Sequence, residues 1–186
     1  MKNYYLITKE ATKYWKKAIK NDRVMVTNHD DKIYVVNGYN AFIFPALPVL
    51  WDELARPAFL QEMPDDGASF QYLKGEKQPA VSMDIVNIME RNLQDETAAA
   101  RTPFTYDTKN GRLRLYKNAN NNLIGVNVIY DSMVDHERAT AIYCGGRYSP
   151  VVFRDEHFTA LIMPVKMSDN LPGEITEVFC KYMEEK

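Results

Sequence analysis

The chain has 186 residues, of which 46% are apolar and 12% aromatic, enough to bury a core without metal or disulfide staples. Wholesale disorder, collagen and coiled coil are excluded by that composition. Lys and Arg number 23 against 25 Asp and Glu, a net charge of −2, so any nucleic-acid binding needs a local basic patch rather than a global field.

The opening Met1-Lys-Asn-Tyr-Tyr-Leu-Ile-Thr8 is rich in strand formers and is followed by Lys9, Glu10 and Lys13, so it has no apolar run of signal-peptide length. Residues 3–8 predict a strand. Ala11, Tyr14, Trp15, Ala18 and Ile19 then fall at i, i+3, i+4, i+7 and i+8, which predicts a helix with Thr8 as N-cap and Asn21 as its end. Lys13, Lys16, Lys17 and Lys20 share another face of it. Three strands are expected next, Arg23–Thr27, Lys32–Asn37 and Ala41–Pro45, with Asn28–Asp31 and Asn37-Gly38 as turns. The apolar stretch Ala41–Leu50 is far too short to span a membrane.

Leu47–Ala55 predicts a short helix with Pro48 in its first turn and Pro57 as its stop. Residues 63–80, punctuated by Pro64, Gly67, Gly75 and Pro79, predict a loop. Ser82 is expected to cap a helix with Ile85, Ile88, Met89 and Leu93 on its apolar face. Gln94–Arg101 is polar or small and predicts no element. Phe104–Tyr106 and Arg112–Lys117 flank Asn110-Gly111, a hairpin signal, and Asn118–Asn122 leads into Leu123–Val126. A helix at Val128–Asp135 and strands at Thr140–Cys144, Val151–Arg154 and Phe158–Val165 follow. A last helix carries Ile175, Val178, Phe179 and Tyr182 after Pro172-Gly173.

Asn40-Ala-Phe-Ile-Phe-Pro45 and Thr159-Ala-Leu-Ile-Met-Pro164 are alike and lie 119 residues apart. Carried back without gaps, that spacing sets Tyr14-Trp15 on Met133-Val134 and Ile33-Tyr34 on Val152-Phe153, so both ends read β-α-β-β-β. The segment Ala160-Leu-Ile-Met-Pro-Val-Lys-Met167 resembles the closing strand of the bacterial DNA sliding clamp, the processivity subunit of the replicative polymerase. The opening strand, Thr8-Lys9-Glu10 and the helix after them are similar to the start of a clamp domain. The resemblance implies an α+β fold: two β-α-β-β-β halves forming one DNA-clamp-like domain at 1–167, with a central insertion at about 47–111. A C-terminal helical extension would occupy 168–186.

The same resemblance implies a non-enzymatic, replication-accessory role without cofactor. Lys13, Lys16, Lys17, Lys20 and Arg23 would meet the phosphates of duplex DNA non-specifically. Met163, Pro164, Val165 and Met167 would line a cleft for peptide motifs of replication proteins, a use suited to the adaptable thioether of Met. Family clamps close rings, so a homo-oligomer is implied, and a reducing, cytoplasmic setting suits the unpatterned pair Cys144 and Cys180. Against DNA stand Asp131, Asp135 and Glu137 on the second helix. The competing class is an interaction or structural module that kept the fold without DNA. A distant third is a hydrolase using Cys144 before Gly145-Gly146 with His136 or His157. His29-Asp30-Asp31 is better explained as a turn than as a metal site. The aromatics Tyr4, Tyr5, Tyr14, Trp15, Tyr34, Tyr39 and Phe42 could stack on single-stranded bases, but they fall at strand and helix positions where a core is the simpler reading, and an exposed tyrosine patch would be informative.

Overall fold

The computed structural model describes residues 8–79, 85–167 and 181. The expected opening strand before Thr8, the Ser82 cap and the C-terminal helix lie outside the described residues. Among those described, the chain is mixed α/β with two antiparallel sheets.

Helix α1 (Lys9–Asn21) forms where the periodicity places it and buries Ala11, Trp15 and Ala18. Thr8 stands at its N-cap, yet its hydroxyl does not cap; it donates across the molecule to the carbonyls of Ser132 and Met133, each at 3.2 Å. Strands β1 (Arg23–His29), β2 (Lys32–Val36) and β3 (Asn40–Pro45) form an antiparallel meander. Its first turn holds Asp30 and Asp31 at φ 49° and 58°, the paired left-handed conformation of a two-residue hairpin turn.

The next helix does not stop at Pro57. It runs as α2 (Pro48–Leu50), a π-helical turn (Trp51–Ala55) and α3 (Arg56–Phe59). The Arg56 N–H bonds the carbonyl of Trp51, so the register has already widened where Pro57 lacks a donor. The expected loop at 63–80 instead carries strands β4 (Ser69–Leu73) and β5 (Glu76–Pro79), which extend the meander from the edge of β1. Helix α4 (Ile85–Leu93) follows, with Val86, Met89 and Leu93 against the sheet, while Ile88 is 43% exposed.

Strands β6 (Ala99–Thr108), β7 (Gly111–Asn118) and β8 (Leu123–Asn127) form the smaller sheet. Strand β6 thus begins inside the stretch expected to carry no element. The helix expected at Val128–Asp135 is a single turn, α5 (Val128–Asp131), capped by the Asn127 side chain on the Ile129 N–H at 2.9 Å. Strands β9 (Ala141–Tyr143), β10 (Val151–Arg154) and β11 (Thr159–Ile162) complete the larger sheet, whose order is β5-β4-β1-β2-β3-β11-β10-β9.

An early and a late strand of the chain meet at β3 and β11, where Phe42 lies opposite Ala160 and Ala41 opposite Leu161. Phe42, Phe44, Ala160 and Ile162 join the main core, and Ala41, Ile43 and Leu161 the cluster on the other face. The ungapped 119-residue spacing would superpose Phe42 on Leu161, which point to opposite faces. A one-residue slip exchanges the faces of a strand, so the 119-residue spacing does not match these two strands face for face. One face of the large sheet is covered by α1, the α2–α3 run and the inner side of β7 and β8; α4 covers the middle of the other.

Phe42 sits at this seam, edge-on to Trp15 at 5.6 Å between ring centroids. Phe42→Ala is expected to lower unfolding stability by about 3–5 kcal/mol, read by chemical denaturation with an unchanged m-value.

Candidate nucleic-acid interface

Helix α1 is buried along one stripe only, and the arc opposite carries Lys9, Lys13, Lys16, Lys17 and Lys20, all exposed. Lys9 belongs to this face although the spacing argument passed over it. Lys13 is tied to Glu10 at 2.6 Å; no described acidic residue pairs with Lys16, Lys17 or Lys20. Arg23 does not join them. Its Nε donates to Gln71 at 2.9 Å, and Gln71 lies between Phe70 and Tyr72, which point to the core under α1. Strand alternation therefore puts Arg23 on the sheet face away from the lysines.

Of the three acidic residues expected to oppose DNA, one is buried, one is half-buried and paired, and one is exposed. Asp131 is 2% exposed at the end of α5. Its carboxylate accepts hydrogen bonds from Arg101 Nη2 at 2.8 Å and from the Tyr116 hydroxyl, with His136 Nε2 at 3.2 Å and Arg114 Nε at 3.9 Å. Burial alone would raise its pKa, but the bonds from His136, Arg101 and Tyr116 outweigh burial and hold it at about 2. Tyr116 is pushed up by burial and by the neighbouring carboxylate. Asp135 is paired with Arg138 at 3.3 Å. Glu137 alone of the three is exposed.

Between α1 and α5 runs a groove of about 410 Å³, lined by Lys13, Tyr14, Lys17, Ile129 and Tyr130 among others, with Glu10 and Asp22 at its rim. Tyr14 meets Tyr130 edge-on at 5.3 Å, and Tyr130 stacks on Tyr39 at 5.8 Å with 12° between the planes. The Asn37 amide donates to the Tyr14 hydroxyl at 2.5 Å, and its oxygen accepts the N–H groups of Tyr39 and Asn40. Gly38 takes φ +69°, a conformation open to glycine, in the turn that delivers Tyr39. The Met163 N–H bonds the Tyr39 carbonyl at 2.8 Å, so residues from both halves fix this ring. Tyr39 is 58% exposed and Ile129 60%. Burial pushes the Tyr14 and Tyr130 phenols above their ordinary range, so both are neutral at physiological pH.

The four residues expected to form a peptide cleft part company. Met163 is 42% exposed and joins Val36, Ala41, Met89 and Leu161 around a cavity of about 50 Å³. Met167 is buried with Leu113 and Leu115, and Val165 packs there while bridging Gly125. Pro164 lies between the two. Cys144 is buried, donates to the carbonyls of Gly146 and Ser149, and has its pKa raised by burial, the reverse of an activated thiol. Among the described residues, no group of three or more His, Cys, Asp or Glu is placed to hold a metal. No described helix is long and apolar enough to cross a membrane.

No protein-family model and no curated protein matches the chain. Among solved structures, it is similar to a putative DNA polymerase III beta subunit from Eubacterium rectale ATCC 33656. That match has 10% identity and a TM-score of 0.37, and covers 90% of this chain and 68% of that one. It is also similar to DNA polymerase III subunit beta from Borrelia burgdorferi in complex with a natural product. There the identity is 10% and the TM-score 0.36, over 89% of this chain and 67% of that one.

Two outcomes are expected from these sites. Asp131 has a folded pKa below its unfolded value, so its stabilisation is complete above about pH 5 and is lost as pH falls toward about 2. Asp131→Asn should remove that acid limb from a stability–pH profile and lower stability at pH 7 by about 3 kcal/mol. Native Cys144 should resist a thiol-alkylating probe near neutral pH and react only on denaturation, judged by peptide mass spectrometry.

Proposed function

We propose that the chain is a non-enzymatic, sliding-clamp-like or replication-accessory protein that holds duplex DNA loosely through α1. The observation that carries this reading is the outward arc of α1, which is lysine throughout and largely unpaired. Lysine ammonium groups on flexible stems suit phosphates met in any sequence and at varying distance. Burial of Asp131 and pairing of Asp135 support it, because they remove two of the three negative charges that would have faced the same partner. The joining of an early and a late strand in one sheet supports the clamp-like architecture, since it places α1 and α5 side by side along the groove. Arg23 is left out of the interface.

Peptide docking, in this reading, falls to Met163 with Leu161, Val36 and Met89, and not to Val165 and Met167. Assembly into a homo-oligomer is part of the same proposal and is read directly from the solution mass by light scattering.

Wild-type protein is expected to be retained on duplex DNA at 50 mM salt and to lose about a hundredfold in affinity by 200 mM, the dependence of about four phosphate contacts. The variant K13E/K16E/K17E/K20E should lose retention while its thermal unfolding is preserved. Retention that ignores salt, or survives the charge reversal, would end the reading.

A further inference from the structure

We propose that the tyrosine cluster at the head of the α1–α5 groove is a stacking seat for an unpaired base of single-stranded nucleic acid. The inference rests on the lysine face of the preceding section for its phosphate contacts, and the seat itself on independent geometry. An exposed tyrosine ring is ordinary by itself. Here three rings from separate elements, Tyr14 of α1, Tyr39 of the β2–β3 turn and Tyr130 of α5, are assembled at one place. Their positions are set by polar bonds as well as by packing: the Asn37 amide on Tyr14, the Tyr14 hydroxyl on Tyr130, and the Met163 N–H on the Tyr39 carbonyl. The Tyr39 backbone is fixed in its turn, and its ring, stacked on Tyr130 and more than half exposed, offers a flat face.

The occupant follows from chemistry at the seat and along the groove. Tyr39 already stacks nearly parallel on Tyr130, and a planar base extends that stack on the open side of Tyr39. Lys13 and Lys17 line the groove beside Tyr130, where the neighbouring phosphates of a strand would run. Of the acidic residues at its rim, Glu10 is engaged by Lys13, and Asp22, just past the C-terminal end of α1, is the one described carboxylate that acts on Tyr14 and Tyr130. A duplex cannot use this seat, because its bases are stacked on one another. Stacking tolerates every base, so the seat selects single strands over duplex without reading sequence.

The test is fluorescence anisotropy with a labelled dT12 oligonucleotide and, in parallel, a duplex of mixed sequence, on the whole chain. Wild type is expected to bind dT12, and Tyr39→Ala to weaken that binding by about tenfold or more while duplex binding is unchanged. Tyr39→Trp should restore or tighten it, which a merely structural role for Tyr39 would not produce. Lys17→Ala should reduce the salt slope for dT12 by about 0.7, one single-strand phosphate contact. Tyr39 is exposed, so its variants are expected to unfold at the wild-type temperature. If wild type fails to bind dT12, or Tyr39→Ala binds dT12 as wild type does, the seat is refuted, and the duplex arm alone then decides the duplex reading. If dT12 binds through Tyr39 and duplex does not bind, the seat stands and the duplex reading falls.

Discussion

Everything else in this molecule depends on the pairing of β3 with β11. The two strands lie far apart in the chain, so their contact carries a large loop-closure cost that local structure cannot offset. Burial on both faces offsets it. Phe42, Phe44, Ala160 and Ile162 enter the main core beneath Trp15, while Ala41, Ile43 and Leu161 are covered by α4. A seam buried on both sides tolerates no slip in register, because a slip would exchange the two apolar sets. The tyrosine cluster inherits that precision. Tyr39 immediately precedes β3, and its carbonyl is held by Met163 just beyond β11.

A second constraint explains how a chain of net charge −2 can present a basic face. Charge is sorted by depth as well as by position. The most buried carboxylate, Asp131, is ringed by Arg101, Arg114, His136 and Tyr116, drawn from β6, β7 and the segment after α5. Removing one partner would strand a charge in low dielectric, so the cluster locks α5 against the smaller sheet. The lysines of α1, by contrast, stay at the surface, where they cost nothing in desolvation and keep their reach. Of the acids expected to oppose DNA, Asp131 is internal and Asp135 is paired with Arg138, a distinction that composition cannot register.

Local periodicity made α1, both Asn-Gly turns and most strands legible, since each is fixed by residues a few positions apart. Three kinds of feature escaped. Turn residues at Gly67, Gly75 and Pro79 concealed β4 and β5, whose pairing partner β1 lies far back in the chain. Pro57 looked like a stop because a widened π-helical turn leaves no mark in the sequence. Facing was the third: Arg23 follows the lysines in sequence but bonds Gln71 on the opposite side of the sheet. Met163 and Met167 likewise diverge, since the chain crosses from one sheet to the other between them, at Val165 on Gly125. Of the interface, the lysines were readable from helical spacing. The tyrosine cluster was not, because only the long-range seam decides which tyrosines are core and which are left open.

The two parts of the proposed interface would act over different ranges, and the difference has a consequence for mechanism. Lysine–phosphate attraction extends over a Debye length of about 10 Å at 0.1 M salt and imposes no fixed geometry. Stacking acts only at contact and demands a plane held in place. A lysine helix alone would let a strand or duplex slide freely; a tyrosine seat alone would find a strand slowly. Placed side by side as proposed, the first would gather a strand and the second arrest it, but only where a base is unpaired. The phenols of Tyr14 and Tyr130 are neutral near neutral pH at their ordinary pKa, and burial raises them further, so these rings bring no negative charge toward phosphates. The discrimination would then reside in the availability of a base face rather than in charge, and that is why it survives the low overall basicity of the chain.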